Sequence, residues 1–227
     1  MRSVFGHPKP QNSYKEIALI RASVRGDLDT VTFLVEDGTD VNTAWGKTGL
    51  TPLMWACQYK YADIVRYLVE HGAIVNLAAA DGTTALMCAV ATGSLESVTF
   101  LINSGAKVNT AASDGYTALM FASQDGSLEI VRHLVEGGAD IDAIKGDGST
   151  SLMLAAFKGQ LDVVSYLVDH GANVNRASRD GYTAKDYANY TSNWDSAAYL
   201  DHIERKRNIV PNPLHVLAKN PATPLPI

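Results

Sequence analysis

The chain has 227 residues, 46% of them hydrophobic and 19% charged, which is typical of a folded protein rather than a disordered one. Its formal net charge of −5 disfavours nucleic acid as a partner, because nucleic-acid-binding proteins usually present a strongly basic face. No apolar run suits a signal peptide or a membrane span, so we expect no membrane insertion and a protein that folds in the cytosol. Cys57 and Cys88 form no CxxC motif and predict neither a disulfide framework nor a zinc site.

The chain is periodic along most of its length. Residues 1–13 are interpreted as an N-terminal extension, and residues 14–46, which lack the Asp-Gly-x-Thr opening of later segments, as a capping repeat. Two glycine series then run in phase, each with a step of 33 residues: Gly49, Gly82, Gly115, Gly148 and Gly181, and Gly72, Gly105, Gly138 and Gly171. Such self-similarity indicates a repeat architecture, with four full repeats over residues 47–179.

Each repeat predicts a first helix with one apolar stripe. Thr51 can cap the helix and Pro52 suits its first turn. Leu53, Ala56 and Cys57 are spaced i, i+3 and i+4, so they share one face of a short helix. The same stripe recurs in the following repeats, and its small residues predict close helix packing.

A second helix and a tight turn complete the repeat. The segment from Leu95 to Ser104 is followed by Gly105, which suits the left-handed end of a helix. The pair Asp114-Gly115 then predicts a turn. One such unit cannot bury its apolar face alone, so the sequence predicts that the units stack.

These motifs resemble the ankyrin repeat, and residues 81–109, 114–142 and 147–175 follow the family pattern almost throughout. The resemblance covers residues 14–206. It implies an all-α ankyrin-repeat solenoid of stacked helix-turn-helix units with projecting β-turns or hairpins. The histidine that the family often has after Thr-Pro-Leu is replaced by methionine, for which we expect interior packing, at Met54, Met87, Met120 and Met153. As in the family pattern, the asparagine after the valine of a unit is expected to bond hairpin backbone, at Asn42, Asn76, Asn109 and Asn175.

The carboxy-terminal part of the chain changes character twice. Residues 180–206 begin as a repeat and then turn polar, which predicts a C-terminal capping repeat. Residues 207–227 contain five prolines and are interpreted as an extended tail. Because the tail also has apolar residues, we hypothesise that residues 208–227 pack in extended form against the repeats; a frayed terminus or a linker is the alternative.

The predicted binding surface follows from helix geometry. A side chain two positions after the buried leucine lies on the opposite face, which predicts outward-facing Trp55, Cys88, Phe121, Leu154 and Tyr187. The resemblance implies that partners bind this concave helix face and the hairpin tips. The predicted partner-binding residues are Trp55, Tyr59, Phe121, Leu154, Phe157 and Tyr187 on helices, with Tyr116 and Tyr182 at the tips. The alternative is that these side chains only pack on one another.

No catalytic or cofactor motif accompanies this surface, so we expect no enzyme activity, no cofactor and no metal site. The turn aspartates Asp81, Asp114, Asp147 and Asp180 are explained by turn chemistry. The resemblance implies a non-catalytic protein–protein interaction module, an adaptor or recognition scaffold. We expect it to be monomeric and to act in the cytoplasm or, for a secreted effector, in a host cytosol. Self-association or autoinhibition through the groove or tail, and an effector with an unrecognised enzymatic site, are the alternatives.

Overall fold

A threonine begins the first helix of every full repeat and supplies a hydrogen bond that the helix N-terminus lacks. In the computed structural model, which describes residues 13–206, the Thr150 hydroxyl accepts a hydrogen bond from the Met153 amide at 3.4 Å. Thr51, Thr84 and Thr117 cap their helices in the same way. The predicted starting points of the first helices are therefore confirmed.

The described residues contain twelve helices in six consecutive pairs and no β-strand. The chain divides into two compact units, with the boundary between Ala106 and Lys107. The first unit contains α1 (Tyr14–Arg25), α2 (Leu28–Glu36), α3 (Pro52–Gln58), α4 (Ala62–Glu70), α5 (Ala85–Ala91) and α6 (Leu95–Asn103). The second contains α7 (Ala118–Asp125), α8 (Leu128–Glu136), α9 (Ser151–Lys158), α10 (Leu161–Asp169), α11 (Ala184–Tyr190) and α12 (Trp194–Lys206).

Within each unit the helices form two layers. In the first unit α1, α3 and α5 pack side by side, and α2, α4 and α6 do the same. In the second unit α7, α9 and α11 form one layer and α8, α10 and α12 the other. Small buried residues such as Ala56 and Ala155 let neighbouring first helices approach closely. This is the predicted all-α ankyrin-repeat arrangement.

The stripes predicted to be buried form the core. Leu53, Leu86, Leu119 and Leu152 are between 1% and 2% exposed. The methionines that replace the family's histidine are equally buried, so their predicted interior packing is confirmed: Met54, Met87, Met120 and Met153. Cys88 contradicts the prediction that it faces outward, because it is only 5% exposed. Its side chain is short, and every residue of α5 from Ala85 to Val90 is buried, so a two-position offset does not bring it to solvent.

Hairpins project between the helix pairs and are tied to each other. Asn109 donates a hydrogen bond to the Gly138 carbonyl at 2.9 Å and accepts one from the Asp140 amide at 2.7 Å. Asn42 and Asn76 donate to the equivalent glycine carbonyls of the next repeat. The predicted role of these three asparagines is confirmed. Between residues 13 and 206 the β-pairing of the hairpins is limited to isolated bridges, such as Ala111 with Thr117.

One hairpin contact requires glycine. Gly115 has φ of +86°, and a Cβ there would lie 2.8 Å from the Cα of Lys145. The close approach allows the Gly146 amide to donate to the Asp114 carbonyl at 2.8 Å. The Asp-Gly turn therefore fixes the position of the hairpin that contains Lys145.

The last repeat is a complete helix pair with a polar exterior. Leu200 of α12 is 1% exposed, whereas Lys185 bonds to Asp201 at 3.4 Å and to the buried Glu204. Burial alone would lower the pKa of Lys185, but the hydrogen bonds and charges of Glu204 and Asp201 outweigh it and hold this pKa above its ordinary value. The backbone amide of Asn175, which precedes this repeat, donates to the Asn173 side-chain oxygen at 3.0 Å. The predicted bond from the Asn175 side chain to hairpin backbone stays a prediction.

Three sequence interpretations stay predictions. The N-terminal extension falls almost wholly outside the described residues, and the predicted docking of residues 208–227 falls wholly outside them. The division into residues 14–46, 47–179 and 180–206 likewise remains an interpretation of the sequence pattern.

Candidate partner-binding surface

The surface of the second unit is built by the hairpin at Tyr116 and by helices α7, α9 and α11. Asp114 accepts a hydrogen bond from the Tyr116 amide at 3.0 Å, which holds the tyrosine in the turn. The Tyr116 ring lies 4.8 Å from the Phe121 ring, centroid to centroid, and its hydroxyl donates to Gln124 Oε1 at 2.7 Å. Burial raises the pKa of Tyr116, with Lys145 opposing this rise, so the phenol stays protonated and able to donate.

A second group of rings joins α9 to α11. The Phe157 ring meets the edge of the Tyr187 ring at 6.1 Å, and the Tyr182 ring lies 5.9 Å from Tyr187. We name six residues the carboxy-terminal cluster: Tyr116, Phe121, Leu154, Phe157, Tyr182 and Tyr187. All of them were predicted to bind a partner.

Tyr187 corrects the prediction that this residue faces outward. It is only 5% exposed, because Phe157 and Tyr182 lie against its ring. Leu154 and Phe157, by contrast, are partly exposed on α9. Tyr187 therefore forms the floor of the surface, and α9 supplies the accessible side chains.

These residues surround an open cavity of about 100 Å³. Four members of the carboxy-terminal cluster line it directly: Tyr116, Leu154, Phe157 and Tyr187. Phe121 and Tyr182 do not line the cavity, but their rings lie beside those of Tyr116 and Tyr187. The remaining lining residues are Gln124, Lys145, Asp147, Ser149, Met153 and Lys158.

A charged pair forms one side of the cavity. Lys145 is ion-paired with Asp147, and its ammonium lies 5.3 Å from the centroid of the Tyr116 ring, within range of a cation–π contact. Partial burial alone would raise the pKa of Asp147, but hydrogen bonds from Lys145 and Ser149 outweigh it and hold this pKa below its ordinary value. Asp147 thus remains ionised at neutral pH and neutralises Lys145.

Sequence reasoning missed Lys145, although a signal was present. Residues 33 positions apart occupy equivalent places, and the slot of Lys145 is filled by Ala79, Ala112 and Ser178 in the other repeats. A long cationic side chain in a slot for small residues indicates a local specialisation. Here that side chain extends over the ring of Tyr116.

The first unit has its own group of rings. Trp55 stacks on Tyr59 at 6.2 Å, and Tyr59 stacks on Tyr61 at 6.3 Å; we name these three residues the amino-terminal cluster. Tyr59 is 47% exposed, as its predicted role requires. The Trp55 Nε1 atom is buried without a hydrogen-bond partner, and Tyr61 packs on Gly26. Tyr61 was not among the predicted residues.

Other reactive groups do not assemble into a site in the part of the chain that the structure describes. No group of three or more His, Cys, Asp and Glu side chains between residues 13 and 206 is placed to hold a metal ion. Burial raises the pKa of the Cys57 thiol, and it raises that of Cys88 to about 12, so both thiols stay protonated and unreactive. None of the helices α1 to α12 has the length and apolar character needed to span a membrane.

Paired helices, capping threonines and linked hairpins define a repeat protein of the ankyrin class. The family model for ankyrin repeats (three copies) matches residues 19–112, 74–145 and 119–209. The chain belongs to the ankyrin-repeat family. Ankyrin repeats generally mediate protein–protein interaction, and the family is generally non-catalytic.

The chain is also similar to segments of three curated proteins. It is 43% identical over 61 residues to palmitoyltransferase AKR1 of Lachancea kluyveri, which is 27% of this chain and 8% of that protein. It is 43% identical over 65 residues to protein phosphatase 1 regulatory subunit 27 of Mus musculus, 29% of this chain and 42% of that protein. It is 42% identical over 55 residues to ankyrin repeat domain-containing protein 40 of Mus musculus, which is 24% of this chain and 15% of that protein. The matched segment spans less than half the length of each of these relatives.

Proposed function

We propose that the chain is a non-catalytic recognition module that binds a partner protein through the carboxy-terminal cluster. The observation that carries this proposal is the cavity beside Tyr116, Leu154 and Phe157, whose side chains remain partly exposed. Large aromatic and aliphatic side chains around a cavity are typical of binding hot spots.

The comparisons support a protein as the class of partner. One similar protein is named a regulatory subunit of protein phosphatase 1, a role carried out on another protein. The similarity covers 29% of this chain, so it supports the kind of partner and not its identity.

The amino-terminal cluster is a second candidate contact. Tyr59 is 47% exposed and stacks on Trp55, so a partner could cover both rings. We treat this cluster as separate from the carboxy-terminal cluster and propose that each is tested by its own substitution.

Affinity capture from a cell that naturally contains the protein, followed by titration of the captured partner, tests the proposal. Phe157→Ala should weaken binding by on the order of 2 kcal/mol or more if Phe157 is a hot spot. Phe33→Ala is the matched control, because Phe33 is 67% exposed on α2 and lies outside both clusters. Trp55→Ala reports on the amino-terminal cluster.

Two results would contradict the proposal. Binding that survives Phe157→Ala with unchanged affinity would remove the carboxy-terminal cluster as the contact. A loss of binding matched by an equal loss of folding stability would show that Phe157 only packs. Sedimentation of the free protein addresses self-association, because that alternative requires a mass that rises with concentration, whereas the proposal expects the mass of one chain.

A further inference from the structure

The size of the cavity restricts what can enter it. At about 100 Å³ it is smaller than the roughly 150 Å³ of an engineered apolar cavity that holds benzene. Its floor is apolar, since Met153 is 2% exposed and Tyr187 is 5% exposed. One aliphatic side chain fits this space better than an aromatic ring does.

The charges at the cavity restrict what can lie beside that side chain. Lys145 is already neutralised by Asp147. Lys158 is exposed, and no acidic side chain in the described part of the chain forms an ion pair with it. Its ammonium lies 5.7 Å from the centroid of the Phe157 ring. Lys158 is therefore the uncompensated charge of the cavity lining among the described residues.

A structural role explains Lys158 only in part. A cation in the last turn of α9 is favoured by the helix dipole. That effect gives the ammonium no acidic counterion among the described residues, so its charge remains available to a partner. Asp125 occupies the equivalent position 33 residues earlier and accepts a hydrogen bond from the Ser127 hydroxyl at 3.0 Å, so the charge at this position changes sign between neighbouring repeats.

We propose that the cavity receives an aliphatic side chain of the partner protein and that Lys158 binds a carboxylate next to it in the partner. This inference rests on the proposed function and specifies the partner's chemistry. The Gln124 side chain adds a polar contact at the same place, because its Oε1 is used by Tyr116 while its Nε2 is available to donate to a partner carbonyl. A basic partner residue would be repelled by Lys158.

Selection of random linear peptides on the full chain, followed by titration of the enriched peptides, tests this inference. We expect a Leu, Ile, Val or Met close to an Asp or Glu. Replacing the aliphatic residue of the peptide by Ala should weaken binding at least about tenfold. Replacing its acid by the neutral amide should weaken binding by up to about fivefold, since an exposed ion pair is worth little more.

Reversing the charge at Lys158 gives the most discriminating test of this inference. Lys158→Glu should change the enriched charged residue from acidic to basic, while Lys206→Glu, on the exposed end of α12 and outside the cavity lining, should leave it acidic. Lys158→Gln serves as a milder variant if the reversal disturbs α9. Circular dichroism verifies that each variant is folded.

The possible failures are distinguishable. Peptides that need Phe157 but carry an aromatic anchor, or that ignore the Lys158 reversal, would overturn this inference and leave the proposed function standing. Enriched peptides that are indifferent to Phe157→Ala would count against both. An absence of enrichment would overturn the inference alone, because the captured whole partner tests the proposed function independently.

Discussion

Leu152 and Leu154 lie two positions apart on α9, and the helical turn between them sends their side chains to different environments. Leu152 is 1% exposed in the core, whereas Leu154 is partly exposed and lines the cavity. Replacing either leucine by alanine makes the same chemical change. Comparing the two variants therefore separates the contribution to folding from the contribution to binding. Both residues are leucines of the same helix, so each is the control for the other.

We expect Leu152→Ala to lower the free energy of unfolding by about 2–5 kcal/mol, because it leaves a cavity in a closely packed interior. Leu154→Ala should cost clearly less stability, since part of its side chain already contacts solvent, and should weaken partner binding. Urea unfolding of both variants measures the first effect, and titration with the captured partner measures the second. Equal destabilisation by the two substitutions would show that Leu154 belongs to the core.

Residue environments could be predicted only where they follow from the repeat itself. The burial of Met120 and Leu119 follows from helix periodicity, because both recur at the same place in every full repeat. The burial of Tyr187 could not be predicted this way. It depends on the rings of Phe157 and Tyr182, and neither position is aromatic in every repeat.

At the scale of elements, the ends of the helices were the most predictable feature, because capping is local chemistry. The first helices start where a threonine precedes the apolar stripe, and the second helices end before the glycine series. In the four full repeats, the first helices have a side-chain capping hydrogen bond and the second helices α4, α6, α8 and α10 do not, a difference that the sequence did not reveal. Ser94 and Ser127 precede second helices, yet their side chains make no capping hydrogen bond.

This difference predicts unequal effects of cap substitutions. Thr150→Ala removes the hydroxyl that accepts from the Met153 amide and should cost about 1 kcal/mol of stability. Thr150→Ser keeps the hydroxyl and should recover most of that loss. Ser127→Ala, at a position without a capping bond, should cost less than Thr150→Ala. Thermal unfolding of the three variants ranks them, and a larger loss for Ser127→Ala would contradict the capping assignment.

At the scale of the whole molecule, the fold follows from repetition and the candidate site from its exceptions. Repeats contact mainly their neighbours, so the regular 33-residue spacing within this sequence is enough to predict stacked helix pairs. The cavity arises where the second unit departs from the common pattern, at Tyr116, Lys145 and Phe157. A repeat pattern predicts the average repeat. It does not predict how unlike side chains of adjacent repeats meet.

The terminal repeat provides the prediction that belongs to the whole chain. Helix α12 packs on α10 and α11, and its buried Leu200 alone is worth about 1.5–3 kcal/mol. Deleting residues 194–227 should therefore lower the unfolding temperature by at least roughly 5 °C and promote aggregation, because it exposes the apolar faces that α12 covers. Deleting only residues 207–227 leaves α12 in place and is the matched control.

The shorter deletion also tests the predicted docking of residues 208–227. If the tail packs against the repeats, removing it should lower the unfolding temperature by a smaller step than the longer deletion. Partner binding should then strengthen if the tail covers the binding surface. Differential scanning calorimetry and titration of the two truncated proteins measure these effects. If the shorter deletion changes neither the unfolding temperature nor the affinity, the tail is a linker. If the longer deletion leaves the unfolding temperature unchanged, α12 is not part of the folded core.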